Sequence, residues 1–373
     1  MQATHLLNFA HFFIRMKLLA ISLFFLFASF QSNAQKAITV AFYNVENLFD
    51  TINNKKTQDE DFLPKGKLKW GTERYFSKLN HIAKVIDQLG GDEGPDILGL
   101  CEVENKRVLN DLVNMPLIRS KGYDIIHFDS PDERGIDVAL LYKKVKFKLV
   151  AADAVKIHFP LCIEEQPKEL KTQKGTKRKK AKKQRIDRTR DILVATLVFN
   201  KADTFTFIVN HFPSRLGGQD KSEPKRLFVA QTLRSLHDDI MKKNYHRRVI
   251  MMGDFNDEPS DRSIKETLAC KYDINNLSWN DLYNPMLDLK NEGKGSISYK
   301  KQFEMIDQFI LSNSLCLQGE KVHYIQKTAM VFNPDWMQEQ DERWKGQPFR
   351  TFAGEKYLNG YSDHFPVYLK IAY

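Results

Sequence analysis

Six short clusters of residues able to do acid–base or metal chemistry are spread along the 373-residue chain: Asn44 with Glu46, then Glu102, Asn210-His211, Gly253-Asp254-Phe255-Asn256, Asp307, and Asp363-His364. Brought together, Glu46, Glu102, Asp254, Asp307 and Asp363 put five carboxylates in one small volume. Their mutual repulsion calls for a cation, and a hard divalent ion taking oxygen ligands at about 2.1 Å, as Mg²⁺ does, meets that need. Histidines among acids form His–Asp or His–Glu pairs, in which the carboxylate fixes the imidazole and stabilises its charged form. Asn44 and Asn256 can bind a substrate oxygen or a water without adding charge. With no Gly-x-Ser-x-Gly elbow and no cysteine nucleophile motif in the sequence, the set favours attack by water.

Taken singly, each cluster also reads as a turn or a cap; Glu102 and Glu104, for instance, suit the start of a helix. Their placement carries the information. Four apolar runs, at residues 38–43, 97–101, 205–209 and 249–252, end in them. Two later runs begin with them: Asp307 opens the run to residue 311, and Asp363-His364 immediately precede residues 365–371. If the last two strands run antiparallel to the first four, all six clusters meet at one edge of a rigid scaffold. Further β-rich runs at 136–142 and 192–199 are interleaved with helical spacing. Residues 74–89 place Phe76, Leu79, Ile82, Ala83 and Ile86 on one face, and 224–243 do the same with Leu227, Ala230, Leu233, Leu236 and Ile240, with Ser222 as the expected N-cap. The result is a mixed α/β chain with more strands than one doubly wound sheet comfortably holds.

In this order, Asn-x-Glu, Leu-x-Glu, Asn-His, Gly-Asp-Phe-Asn, Ile-Asp and Ser-Asp-His resemble the motif set of the endonuclease/exonuclease/phosphatase superfamily of metal-dependent phosphoesterases, from about Ile38 to Tyr373. The resemblance implies an α/β (α+β) four-layer sandwich, two packed mixed β-sheets flanked by helices. It also implies Glu102 as the principal metal ligand, with Asn44, Glu46 and Asp363 near the ion or its waters. Asp254 and Asn256 would orient or deprotonate the attacking water, and His364, paired with Asp307, would bind the scissile phosphate. His211 matches the second histidine of the deoxyribonuclease I and sphingomyelinase branches, where AP endonucleases have Asn. Glu46 departs from the pattern, since many members carry Asp there. The expected cofactor is Mg²⁺, with Mn²⁺ or Ca²⁺ as alternatives. Arg134 and Arg215, beside these clusters, are expected phosphate contacts.

The formal charge of +10 is local: residues 168–190 hold twelve basic residues against two acids, which leaves the rest of the chain neutral. That excludes a uniformly basic, histone-like protein, and 42% hydrophobic content excludes disorder as the main state. The Lys-rich tract at about 166–188 reads as a flexible loop inserted in a single domain of residues 35–373. Its positive charge suits a polyanionic nucleic-acid backbone held without sequence preference. Residues 1–34 read as a signal peptide, with cleavage near Ala34 and Met16 as an alternative initiator. Their thirteen-residue apolar run falls short of the ~20 residues of a membrane span. The expected product is a secreted or periplasmic monomer with no stable membrane span after processing. Four cysteines without short paired spacings give no expectation of a disulfide framework or zinc site. An endonuclease acting on DNA or RNA leads the readings. A phosphatase, a sphingomyelinase-type phosphodiesterase and a degenerate polyanion-binding module are the alternatives.

Overall fold

In the computed structural model, residues 36–160, 163, 188–317 and 319–373 are described. The expected signal segment, Cys162 and the Lys-rich tract up to residue 187 lie outside them. The elements in chain order are β1 (Ala37–Leu48), α1 (Thr72–Gln88), β2 (Ile97–Val103), α2 (Lys106–Val113), β3 (Tyr123–His127), β4 (Asp137–Lys143), β5 (Phe147–Val155), β6 (Ile192–Phe199), β7 (Asp203–His211), α3 (Gln219–Lys243) and β8 (Arg248–Asp254). There follow β9 (Leu282–Tyr283), α4 (Met286–Asn291), β10 (Ile297–Tyr299), β11 (Gln302–Glu304), β12 (Asp307–Ser312), β13 (His323–Tyr324), β14 (Met330–Val331), β15 (Phe352–Ala353), β16 (Lys356–Tyr357) and β17 (Val367–Ala372).

Side-chain alternation along the strands sorts these elements into layers. In β1, Val40 and Phe42 face one way and Ala41 and Tyr43 the other; in β8, Ile250 and Met252 oppose Val249 and Met251. The first set from each strand meets in one core between two sheets. One sheet is ordered β13-β17-β1-β2-β4-β3, with β14 also on β17, and the other β5-β6-β7-β8-β12-β9. The outward set of the first sheet is covered by α1 and α2 through Leu79, Ile82, Ile86, Val108 and Leu112. That of the second is covered by α3 through Val229, Ala230 and Leu233. Each of these leucines, isoleucines and valines, fully buried, contributes roughly 1.5–3 kcal/mol. The chain is thus a four-layer sandwich of two mixed sheets between helices.

The orientation condition posed by the sequence is met. β1 runs parallel to β2 and antiparallel to β17, while β7 runs parallel to β8 and β8 antiparallel to β12. Asp307 is registered directly opposite Asp254. One local expectation fails: α3 starts five residues before Pro224, at Gln219, and Ser222 is not its N-cap. The Ser222 hydroxyl donates back to the Gly218 and Gln219 carbonyls and accepts from the buried Arg226 guanidinium, so the apolar pattern alone missed the polar first turn. Cys101 and Cys270 are buried free thiols, Cys316 is likewise buried, and among the described residues no helix is long and apolar enough to cross a membrane.

His237, on the buried face of α3, has its imidazole pushed down to about 4, chiefly by burial. The folded state therefore prefers the neutral ring, while the unfolded chain takes up a proton near pH 6.5. Stability from this site is present above pH 6.5 and lost as pH falls towards 4, amounting to at most about 3 kcal/mol. Urea midpoints measured from pH 7 to 4 should fall less steeply in His237→Gln than in the wild type; parallel curves would assign the acid sensitivity elsewhere.

Candidate active site

The site forms where the inter-sheet core runs out of apolar residues. Asn44 is the next inward position after Phe42, His211 after Val209, Asp254 after Met252, and Asp307 precedes Phe309. One alternation therefore packs the core and aims four polar side chains at a common rim. Backbone irregularities bring in the others: register breaks after Asn44 and Cys101, with Glu46, Asn47, Glu102 and Asn256 all in the left-handed region at φ between 49° and 63°. Such strain in non-glycine residues persists only where surrounding contacts enforce it, and it gathers at functional sites. Gly253 is obligatory, because a Cβ there would collide with the Asn210 carbonyl oxygen.

Asp254 is the hub. Its Oδ2 lies 3.1 Å from Asn44 Nδ2, 3.6 Å from His211 Nε2 and 4.0 Å from His364 Nε2, while its Oδ1 accepts the Asn256 amide at 2.8 Å. Asn44 Nδ2 also reaches Glu102 Oε1 at 3.4 Å, and Glu102 Oε2 accepts the Asn47 amide. His364 Nδ1 is 2.6 Å from Asp307 Oδ2, which leaves Nε2 facing Asn44 and Asp254. Asp363 is half-exposed beside it, 3.9 Å from His364 Nε2 and 3.6 Å from Arg350.

The charges follow from these neighbours. Burial, with Asp307 next, pushes the Asp254 carboxyl up to about 7. Burial opposes charge on His364, but Asp307, Asp363 and Asp254 outweigh it and hold the ring well above its ordinary value. His211 goes the other way, held well below by burial and then by Arg190, Arg134 and His364. One imidazolium and one neutral imidazole thus flank a single carboxylate.

The sequence-expected residues do not all converge. Glu46 turns away from the hub: its two oxygens accept the Thr351 and Phe352 amides at 2.7 and 3.2 Å, and Lys78 Nζ stands 3.9 Å off. The longer arm thus reaches the 349–363 segment, which carries Asp363. Arg215, expected to face a phosphate, is instead tied to the Asn256 carbonyl at 2.6 Å and to Glu304 at 2.8 Å, with Asp261 and Asp257 within 3.8 Å. Its work is to tether the loop bearing Asn256. Arg134 is half-exposed at the rim, on a loop closed by Asp137, which takes His127 Nε2 and the Ser130 amide.

Two residues escaped the sequence reading. Arg190, counted in the basic tract, is buried, bonded to Asp132 and to the Phe212 carbonyl, and sits close enough to depress His211. The tract therefore ends before Thr189. The signal was present, since β6 pairs antiparallel with β7 and its start must lie beside the end that carries His211. Lys78 is fully buried in α1, donating to Thr351 Oγ1 at 2.5 Å and to the Tyr361 carbonyl at 2.8 Å. Burial lowers its ammonium from the usual lysine value while Glu46, Asp363 and Glu102 oppose that.

The profile described as the Endonuclease/Exonuclease/phosphatase family matches residues 39–163 and 161–373. The chain belongs to that family. Its members are hydrolases acting on phosphoester bonds and generally use divalent metals. Solved structures share the fold at low identity. Zebrafish (D. rerio) TDP2 complexed with single-strand DNA product is 13% identical at a TM-score of 0.51, covering 91% of this chain and 100% of its own. A mannosyl-6-phosphatase of Bacteroides thetaiotaomicron is 17% identical at 0.51, covering 90% and 100%, and the human Nocturnin catalytic domain with bound sulfate 17% identical at 0.50, covering 90% and 94%. No curated protein sequence matches the chain.

A divalent cation fits the donors. Asp254 Oδ2 and Glu102 Oε1 both converge on Asn44 Nδ2, at 3.1 and 3.4 Å, and Asp254 lies within 4.8 Å of the Asp307–His364 pair. Asp307 Oδ1, His211 Nδ1 and Arg190 Nε are buried with no partner among the described residues, which marks this end of the core as built for groups the chain does not itself supply. Glu102 and Asn44, with Asp254 and Asp363, are the residues that would hold the ion.

Lys78→Met should leave Glu46 buried without its cation and cost about 3–5 kcal/mol of unfolding free energy. Exchange protection of the Thr351 and Phe352 amides should fall with it, and adding Glu46→Gln should restore part of both. Unchanged protection in the single variant would show that Lys78 and Glu46 do not hold the 349–363 segment.

Proposed function

We propose that this chain is an exported, divalent-metal-dependent phosphodiesterase that cleaves DNA or RNA by attack of activated water. The observation that favours a diester is the shape around the hub. Two hollows adjoin the site, one of about 680 Å³ that reaches it at Asn256 and one of about 230 Å³ that reaches it at Asp363, which offers a phosphate held there room for two substituents. A terminal monoester needs one.

Asp254, whose carboxylate accepts the Asn256 amide, is placed to accept the proton of a water held by Asn256. His364, charged and fixed by Asp307, donates from Nε2 to a phosphoryl oxygen as negative charge grows there. Neutral His211, beside Asp254, can donate one hydrogen bond without drawing the proton from its neighbour. Arg134 and Arg190 add fixed positive charge to the same end. A divalent ion such as Mg²⁺ supplies neutralisation of the phosphoryl and leaving oxygens. The neighbour holding single-strand DNA shows that this fold can accept such a strand, and the Lys-rich tract offers this chain a means of holding one.

Residues 35–373 with Mg²⁺ should hydrolyse plasmid DNA, RNA or bis-nitrophenyl phosphate faster than sphingomyelin or a sugar monophosphate. Activity should vanish on chelation and fall at least about a hundredfold in His364→Ala. Rates that survive chelation, or a monoester preferred over every diester, would refute the reading. Replacing the Lys-rich tract by a neutral loop should weaken DNA binding and flatten its salt dependence by roughly 0.9 in slope for each phosphate no longer neutralised; an unchanged slope would return the tract to a solubility role.

A further inference from the structure

The β10–β11 hairpin stands between the two hollows. Strand alternation places Ile297 and Tyr299 in the larger, with Leu216 and Asn256, and Ser298 and Lys300 in the smaller, with Trp344, Arg350 and Asp363. Two aromatic rings are left open there: Tyr299 is 59% exposed and Trp344 42% exposed. Cations accompany both. Lys300 Nζ lies 5.1 Å from the Tyr299 ring, and Arg343 and Lys301 lie 5.0 and 5.9 Å from that of Trp344.

The hairpin is fixed to the catalytic pair. Ile297 bridges His364, the Phe365 amide donates to the Ser296 carbonyl at 2.6 Å, and the Asp307 amide donates to Ser296 Oγ. Its two-residue turn is Lys300-Lys301, both left-handed at φ 49° and 67°, where asparagine and glycine are the favoured residues. Local strain is thus retained at a tip carrying two charges.

We propose that Tyr299 and Trp344 are stacking platforms for the bases on either side of the scissile phosphodiester, and that they select single-stranded nucleic acid. This rests on the phosphodiesterase reading above. Rings beside cations are what an unpaired strand requires: stacking for each base and a positive charge for each flanking phosphate. Bases in a duplex have both faces covered by neighbours, and the hairpin between the hollows could be straddled only by unstacking them. The Lys-rich tract contains no aromatic residue and supplies charge without stacking, so the platforms add a selectivity that it lacks.

The test is steady-state hydrolysis, by the mature chain with Mg²⁺, of one 12-nucleotide sequence as single-stranded DNA, single-stranded RNA and duplex. Wild type, Tyr299→Ala, Trp344→Ala, Tyr299→Phe, Trp344→Phe and Trp279→Ala are compared; Trp279 is an exposed ring at the opposite end of the second sheet. The single strand should be preferred over duplex by about tenfold or more, each platform alanine should raise its KM about tenfold, and phenylalanine should restore it. Trp279→Ala should match wild type. Unchanged KM in both platform alanines, or a duplex preference, overturns the platforms while leaving the phosphodiesterase standing. A wild type that hydrolyses no diester overturns both.

Discussion

Buried carboxylates resist ionisation, and the active edge of this protein is organised around one that cannot escape its neighbours. Asp254 is fixed by strand register opposite Asp307, with Glu102 close by and no lysine or arginine in contact with it among the described residues. Burial and like charge together raise its carboxyl to about 7. Asn44, His211 and His364 bond to it or crowd it, but a neutral amide, a neutral imidazole and a single imidazolium do not balance the acids. The remaining imbalance is what a divalent ion would resolve. The charge held on His364 depends on that crowding.

Rigidity makes the crowding possible. Asp254, Asp307, His211 and Asn44 project from strands whose adjacent inward residues lie in the core between the two sheets, so none of them can relax without unpacking it. Outside this ring the support is polar. Lys78 and Glu46 hold the segment carrying Asp363 from below. Arg226, fully buried and 2.7 Å from Asp257, anchors α3 beneath the loop of Asn256. Removing either cation strands an acid, which ties the stability of the fold to the placement of the site.

Much of this was legible in the sequence because a single periodicity does two jobs. The apolar alternation that identified the runs before Asn44, His211 and Asp254 also fixed the face on which those residues emerge. What alternation does not encode was hidden. Glu46 lies past a register break and follows backbone dihedrals rather than parity. β5 is an edge strand with most of its residues open to solvent, so it lacked the expected pattern. Arg190 sat in a basic stretch whose composition masked one buried member, and Lys78 lay on a helix face where only apolar residues were expected. The tethering of Arg215 was hidden because the acids around it, Asp257 with Asp261 and Glu304, are distant from it in the chain.

The crowded carboxylates form a candidate cation site. Calorimetric titration of the metal-free protein with Mn²⁺ at pH 7, in two buffers of different ionisation enthalpy, tests it most directly. Saturable binding that Glu102→Gln abolishes is expected, with protons released as the Asp254 carboxyl ionises. Absence of saturable binding, or equal affinity in Glu102→Gln, would contradict it.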